Sequence, residues 1–394
     1  MTLLLVFAIT LVIAVLISAL VQRTVLSTTV LFLFAGLLAG RGAFGALPGL
    51  GPQWLRILAE LALFSVLFTD GMRAGGEPSP PGARALVTRA LAIGMPLTIV
   101  GIAALAHYLL GFDWIEGILL GSVLSPTDPI FVSAIFRFDA VPERLRRLLN
   151  VESGINDGIA LPLVVIFLGE LALQPASLGM VAVELAAGVG IGIVIPWLAI
   201  RLEASRFFGA AGILRPLNAF AIGLLVLAVS WRVHANIFLA AFAAGIAVAR
   251  FNPEVRAAFH EFGEGVTELL KLAAILIFGL QMAPNLFLPL SGAAIAFVLL
   301  SLAAVRMVAI EIAMIGSALS RGETLAAGWF GPKGFGSVVY GLMILELATP
   351  AAEDMAHLVG LVIMLSIVVY SSTDILIARW FERRATSPAV PERP

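Results

Sequence analysis

The chain has 394 residues, 60% of them apolar and 12% charged, with a formal net charge of −1 and a mean hydropathy of +1.05. A soluble domain carries about 25% charged residues, so this composition cannot coat a water-facing surface, and a soluble enzyme and a nucleic-acid binder are both excluded. Cysteine is absent, which removes disulfides, thiolate metal sites and cysteine nucleophiles. The expectation is an all-α polytopic membrane protein.

Crossing a hydrocarbon core of about 30 Å takes about 20 mostly apolar residues. Apolar runs between charged or Gly/Pro-rich breaks predict thirteen spans, near 3–22, 25–40, 54–71, 85–110, 114–136, 143–170, 179–200, 216–231, 234–250, 266–284, 289–316, 322–346 and 356–378. The first run lacks a basic flank and leads straight into further spans, so it reads as a retained helix rather than a signal peptide. The basic residues test the count. With the odd-numbered loops and the C-terminus on one side, that side holds 18 of the 24 Lys and Arg; the other holds only Arg41, Arg56 and Arg232. Lys271, Arg306 and Lys333 fall inside spans or at their edges. Basic loops stay cytoplasmic, which predicts an outside N-terminus and an inside C-terminus in a bacterial inner (cytoplasmic) membrane.

The longest loop runs from Arg73 to about Arg84, so the expected organisation is one transmembrane domain over 1–380 and a short cytoplasmic tail over 381–394, with no soluble domain. Spans 1–6 and 8–13 are offset by an odd number of crossings, which allows inverted repeats, and inverted repeats with broken helices at the midplane mark secondary transporters.

Ionisable groups inside spans are costly and default to functional candidates. Span 5 carries Ser125-Pro126-Thr127-Asp128-Pro129, and span 6 carries Glu152-Ser153-Gly154-Ile155-Asn156-Asp157-Gly158. Asp157 lies roughly 15 Å along a helix from Arg147, and Asp128 lies about as far from Arg137 on the neighbouring antiparallel span, so both acids reach the midplane. Pro126 and Pro129 deprive the carbonyls of Ser122 and Ser125 of helical partners, which predicts a break near Thr127. The freed carbonyls and the Thr127 hydroxyl then offer oxygen. Asp128 reads either as a cap on the second half-helix or as a ligand, and Asp70 either as a boundary charge or as a residue of ion entry. Ser153 and Asp157 share one helical stripe and Glu152 and Asn156 the next. An oxygen-only set suits a hard cation, not zinc or copper. From the second half, Arg306 in span 11 is the natural partner of Glu152. Lys333, in Gly331-Pro332-Lys333-Gly334 of span 12, can offset the negative ends of two crossing half-helices. Glu60, Glu184, Glu311, Glu346 and the four histidines form no pattern, and the Met and Phe residues suit core and lipid contact.

Thr127-Asp128-Pro129, Val141-Pro142-Glu143-Arg144-Leu145, Glu152-Ser153 and Asn156-Asp157-Gly158 together resemble the sodium/proton exchanger side of the monovalent cation/proton antiporters, NhaP-type bacterial proteins most of all. The resemblance covers essentially the whole chain. It implies a sodium/proton antiporter fold of about thirteen helices, with inverted repeats and two broken crossing helices. It implies a homodimer in the lipid bilayer whose core helices move against a dimerisation domain, and no cofactor or organic substrate. It further implies Asp157 as the shared cation- and proton-binding carboxylate, with Thr127, Asp128 and Ser153 around the alkali ion. Asn156 would stabilise span 5 and Glu152 would pair with Arg306. An Asn before the key Asp implies exchange of one cation (Na+, or else Li+ or K+) for one proton. Lys333 stands where the family has Arg, and Pro332 where it has an apolar residue. A potassium/proton antiporter of the same fold is the first alternative. A channel would need carbonyl or charge rings, an intramembrane aspartyl protease separate catalytic motifs, and a sodium-coupled symporter an extra polar pocket.

Overall fold

A computed structural model describes residues 2–18, 28–41, 45, 47, 51–76, 81–128, 135, 138–172, 178–205, 214–285, 289–345, 347 and 349–386. The second half of span 5 from Pro129, the cap that Asp128 would place on it, Glu346 and residues 387–394 of the expected tail lie outside them. Among the described residues every regular element is helical. In chain order they are α1 (Thr2–Leu16), α2 (Thr28–Ala39), α3 (Pro52–Gly76), α4 (Pro81–Arg89), α5 (Met95–Leu110), α6 (Trp114–Leu124), α7 (Glu143–Leu171) and α8 (Leu178–Glu203). There follow α9 (Arg215–Arg232), α10 (Ile237–Phe251), α11 (Pro253–Met282), α12 (Gly292–Ala303), α13 (Val305–Ala313), α14 (Arg321–Trp329), α15 (Phe335–Leu345) and α16 (Pro350–Thr386).

Each predicted span falls on one of these helices or on a pair of them. Among the described residues six continuous stretches, two of them joined pairs (α4 with α5 and α12 with α13), are long and apolar enough to cross a bilayer, and five others are shorter apolar helices of 10–17 residues. The count of thirteen crossings therefore rests on the charge of the loops, not on helix length. Two of the short helices, α6 and α15, are halves of broken spans.

The sequence places helix starts where the chemistry of the first turn is satisfied. Asp113 and Glu116 form a capping box on α6, and Ser320 and Glu323 form one on α14. Asn252 accepts from the N–H groups of Glu254 and Val255 ahead of Pro253, which starts α11. That start is earlier than predicted: residues 253–265 were read as loop, yet α11 begins at Pro253 and its first turns bend by 118° from α10. The charges that mark 253–265 as a loop lie on an amphipathic helix. Two further departures concern continuity. A π-helical segment, Ala90–Gly94, joins α4 to α5, and span 11 is interrupted at Ala304, between α12 and α13.

The helices sort into two groups. α3 packs against α10 and α11, α11 against α2 and α9, and α8 against α10; α6 packs against α5 and α7, α13 against α14, α15 against α16, and α12 against α5. The groups meet where α3 faces α7 and α15, and where α11 faces α15. That seam is where the buried acids lie.

At the Arg-rich end of the second group, Arg144 on α7 makes paired contacts of 2.5 Å with both carboxylate oxygens of Glu323 and donates to the Ala318 carbonyl at 2.7 Å. Glu323 also accepts from the Ser320 N–H (2.8 Å) and hydroxyl (2.6 Å), so one carboxylate starts α14 and ties it to α7. Ser320→Ala should cost about 1 kcal/mol as a lost N-cap. Glu323→Ala should lower the melting temperature further, since it also strands Arg144, and equal melting of the two variants would contradict this tie.

A candidate cation site at the crossing of two broken helices

α6 ends at Leu124, and Ser125 to Asp128 continue without helical structure. Pro126 frees the Ser122 carbonyl, and the Ser125 hydroxyl donates to it at 3.3 Å. The second break separates α14 from α15 at residues 330–334. The two breaks touch: the Asp128 N–H donates to the Pro332 carbonyl at 2.9 Å, and the Ser337 hydroxyl donates to the Val123 carbonyl at 2.7 Å. Backbone freed by proline in one helix thus finds its partner in the other, as irregular backbone at membrane depth requires. The crossing is too close for side chains at two positions. A Cβ on Gly334 would lie 2.6 Å from the Asp128 Cβ, and one on Gly336 would lie 2.7 Å from Asp157 Oδ1.

α7 runs past this crossing and presents its polar residues in different directions. The Asn156 amide donates to the Thr127 hydroxyl at 2.9 Å and to the Thr127 carbonyl at 3.4 Å, holding the break of span 5 against α7. The Thr127 oxygens therefore already serve Asn156 and keep only their remaining lone pairs for an ion. Asp157 is buried against Gly336, and its carbonyl accepts from the Tyr340 hydroxyl at 3.1 Å. Among the described residues, Asp157 Oδ1 and Asn156 Oδ1 are buried oxygens with no hydrogen-bond donor. Ser153 lies one turn from Asp157 and is buried as well, as are Thr127 and Asp128.

Glu152 faces away from this group, with Arg306 at its side. Arg306 Nη1 lies 2.9 Å from one carboxylate oxygen and Nη2 donates to the other at 3.0 Å, both side chains being buried. Lys333 is buried at the second break. Its N–H donates to the Ser366 hydroxyl at 2.6 Å, while among the described residues its ammonium has no hydrogen-bond acceptor. Asp70 lies 3.6 Å from Arg73, which also contacts Glu264 on α11 at 3.0 Å. Its backbone carbonyl comes within 3.9 Å of a Cβ built on Gly154, one turn from Asp157.

A cavity of about 350 Å³ lies at the Arg-rich end, walled by Thr69, Met72 and Arg73 of α3, Asn150 of α7, and Arg256 and Glu264 of α11. Asn150, Ser153, Gly154 and Asp157 follow at helical spacing, so the residue that α7 gives to the cavity wall lies on the same helical stripe as Asp157. A second cavity, of about 270 Å³ between α3, α9 and α11, is apolar and is lined by no acid. Two contributors went unread in the sequence. Glu323 carried a readable Ser-x-x-Glu cap but no sign of Arg144, and Lys271 was passed over at a span edge.

Neutralising Glu152 or Arg306 strands the opposite charge, a loss of about 3–5 kcal/mol for a buried pair. Thermal melts of Glu152→Gln and Arg306→Met should therefore fall far more than cation affinity changes, and the double variant should recover part of the loss. Unchanged melting in both single variants would count against the pair.

Comparison with known proteins places this geometry. The family described as "Sodium/hydrogen exchanger, transmembrane" matches residues 8–379. A relative from Alkalimonas amylolytica, a K(+)/H(+) antiporter NhaP, is 27% identical over 97% of this chain and 67% of its own length. A K(+)/H(+) antiporter NhaP2 from Shewanella sp. (strain ANA-3) is 25% identical over 93% of this chain and 65% of its own. The chain thus spans about two thirds of the length of these curated relatives. The solved structure of the sodium proton antiporter MjNhaP1 from Methanocaldococcus jannaschii at pH 8 superposes with a TM-score of 0.78 over 96% of this chain and 97% of that one, at 15% identity, and so shares its fold. With a match across nearly its whole length, the chain belongs to the sodium/hydrogen exchanger family and is of NhaP type.

Proposed function

We propose that this chain is a secondary active antiporter that exchanges a monovalent cation for protons across a bacterial cytoplasmic membrane by alternating access, with Asp157 as the site both ions share. One observation carries the reading. A buried carboxylate oxygen of Asp157 has no donor among the described residues, and it lies at the crossing of two broken helices. An orphaned buried oxygen is costly, and a proton or a desolvated cation relieves it. If Asp157 cannot cross the membrane empty and charged, one occupant must accompany it each way, and exchange results. A difference of one pH unit then drives the cycle with about 1.4 kcal/mol per proton.

In this reading Thr127, Ser153 and Asp128 supply oxygens around the cation, and Asn156 holds the break they come from. Asp70 receives the ion at the end of the cavity, Glu152 and Arg306 hold the core together, and Lys333 offsets the negative ends of α6 and α14. One acid preceded by Asn156, in place of two adjacent acids, supports exchange of one cation for one proton without net charge. No cofactor takes part. The chain works as a homodimer, with the group containing α6, α7 and α12 to α16 moving against the group containing α3, α10 and α11. The two relatives are named as K(+)/H(+) antiporters and the solved structure as a sodium proton antiporter, so the two alkali ions are the readings to separate.

Dequenching of a pH dye in proteoliposomes, with each alkali cation in turn and with and without an imposed voltage, should show saturable exchange insensitive to voltage. Asp157→Asn should abolish it while the dimer stays folded, and wild-type exchange in that variant would remove the assignment. The absence of cysteine makes topology equally direct to test. A cysteine at position 144 or 256 should be labelled only from the cytoplasmic side, and one at 112 or 233 only from outside.

A further inference from the structure

Of 24 basic residues only Lys271 and Lys333 are lysine, and both are buried. Lys271 has the stranger surroundings. Its side chain is 2% exposed, yet its nearest carboxylate, Glu268 one turn before it on α11, is 3.5 Å away and 45% exposed. A pair of that kind returns little, and burying an ammonium costs far more unless other anions face it.

Those anions can be located by register. α3 and α11 run antiparallel along a shared stripe: Arg73 meets Glu264, and one turn deeper the Thr69 and Thr267 hydroxyls lie 3.1 Å apart. Lys271 follows Thr267 by one more turn, beyond the level of Asp70. On α7, Gly154 is level with the Asp70 carbonyl, and Asp157 lies one turn deeper. Lys271 and Asp157 therefore sit at the same depth on opposite walls of the seam between the two helix groups. Consistent with this, Asp157 feels the charges of Asp128, Asp70 and Lys271, and Asp70 those of Arg73, Asp128, Lys271 and Glu264.

We propose that Lys271 is a specificity-determining residue of the cation site: its fixed positive charge, carried on α11 and facing Asp157 across the seam, weakens the hold of that site on an incoming cation and so sets the affinity at which the ion is released. This rests on the reading of Asp157 as the cation site. Lysine suits the task better than arginine, because it presents a compact charge and makes no demand for a bidentate partner. Because Lys271 and Asp157 belong to different groups, any sliding of one group along the other changes the field at the site, and affinity then depends on which side the site faces.

The test is the apparent KM for Na+ and K+ in proteoliposomes at alkaline pH, where KM no longer changes with pH and protons do not compete for Asp157, paired with cation binding to the purified protein. Lys271→Met should lower KM roughly three- to tenfold, the effect of removing one charge several ångströms away at intermediate dielectric, with a smaller change in maximal rate. Lys271→Arg should keep KM near that of the wild type. Glu268→Gln removes the partner that partly neutralises Lys271 and should raise KM, a sign that a merely loosened structure would not produce. An unchanged or raised KM in Lys271→Met overturns the proposal; should that variant not reach the membrane, an unchanged KM in Glu268→Gln does so. Failure of the underlying reading looks different, since wild-type protein would then show no exchange or Asp157→Asn would retain it.

Discussion

The structure depends on two proline-broken helices repairing each other. Pro126 and Pro332 leave main-chain groups without helical partners in the middle of an apolar protein, and lipid offers none. The Ser125 hydroxyl serves the Ser122 carbonyl, and the bonds from the Asp128 N–H to the Pro332 carbonyl and from the Ser337 hydroxyl to the Val123 carbonyl join the two breaks. Such an arrangement forces close approach, which glycine at 334 and 336 permits, and it leaves polar backbone clustered at one depth. The carboxylate of Asp157 is placed against that cluster by α7. A cation site needs oxygen and partial desolvation, and the crossing supplies both.

The charges around the crossing divide by what holds them. Glu152 and Arg306 neutralise each other through two short contacts and fasten α7 to α13 without facing the seam. Glu323 and Arg144 do the same between α7 and α14 nearer the Arg-rich end. Asp157 has no such resident partner among its hydrogen bonds, and besides Asp128 of its own group the charges near it, Asp70 and Lys271, lie across the seam. An ion pair fixed inside one helix group stabilises that group, whereas a charge facing another group responds to their relative position. That distinction separates a structural acid from one available to an ion.

Much of the site was legible because its signals are local. Pro126 and Pro332 mark the breaks, the four-residue spacing of Ser153 and Asp157 marks one stripe, and a lone Arg306 in an apolar span asks for an acid, for which Glu152 on the adjacent stripe is the natural partner. What escaped the sequence depends on register between distant segments. Glu323 lies 179 residues from Arg144, and the level of Lys271 follows from Thr69 meeting Thr267, which no periodicity within either helix encodes. The helical start of α11 at Pro253 has another reason for escaping the sequence: the charged residues on the polar face of an amphipathic helix have the composition of a loop. The break at Ala304 carries no proline or glycine to announce it.

If one carboxylate holds either ion but never both, cation binding must expel a proton. Calorimetric titration of the purified protein with Na+ or K+ near neutral pH, repeated in buffers of different ionisation enthalpy, counts the protons released for each cation bound. The account predicts a release approaching one proton per cation across the pH range in which the site changes occupant. Cation binding that releases no proton at any pH would contradict it.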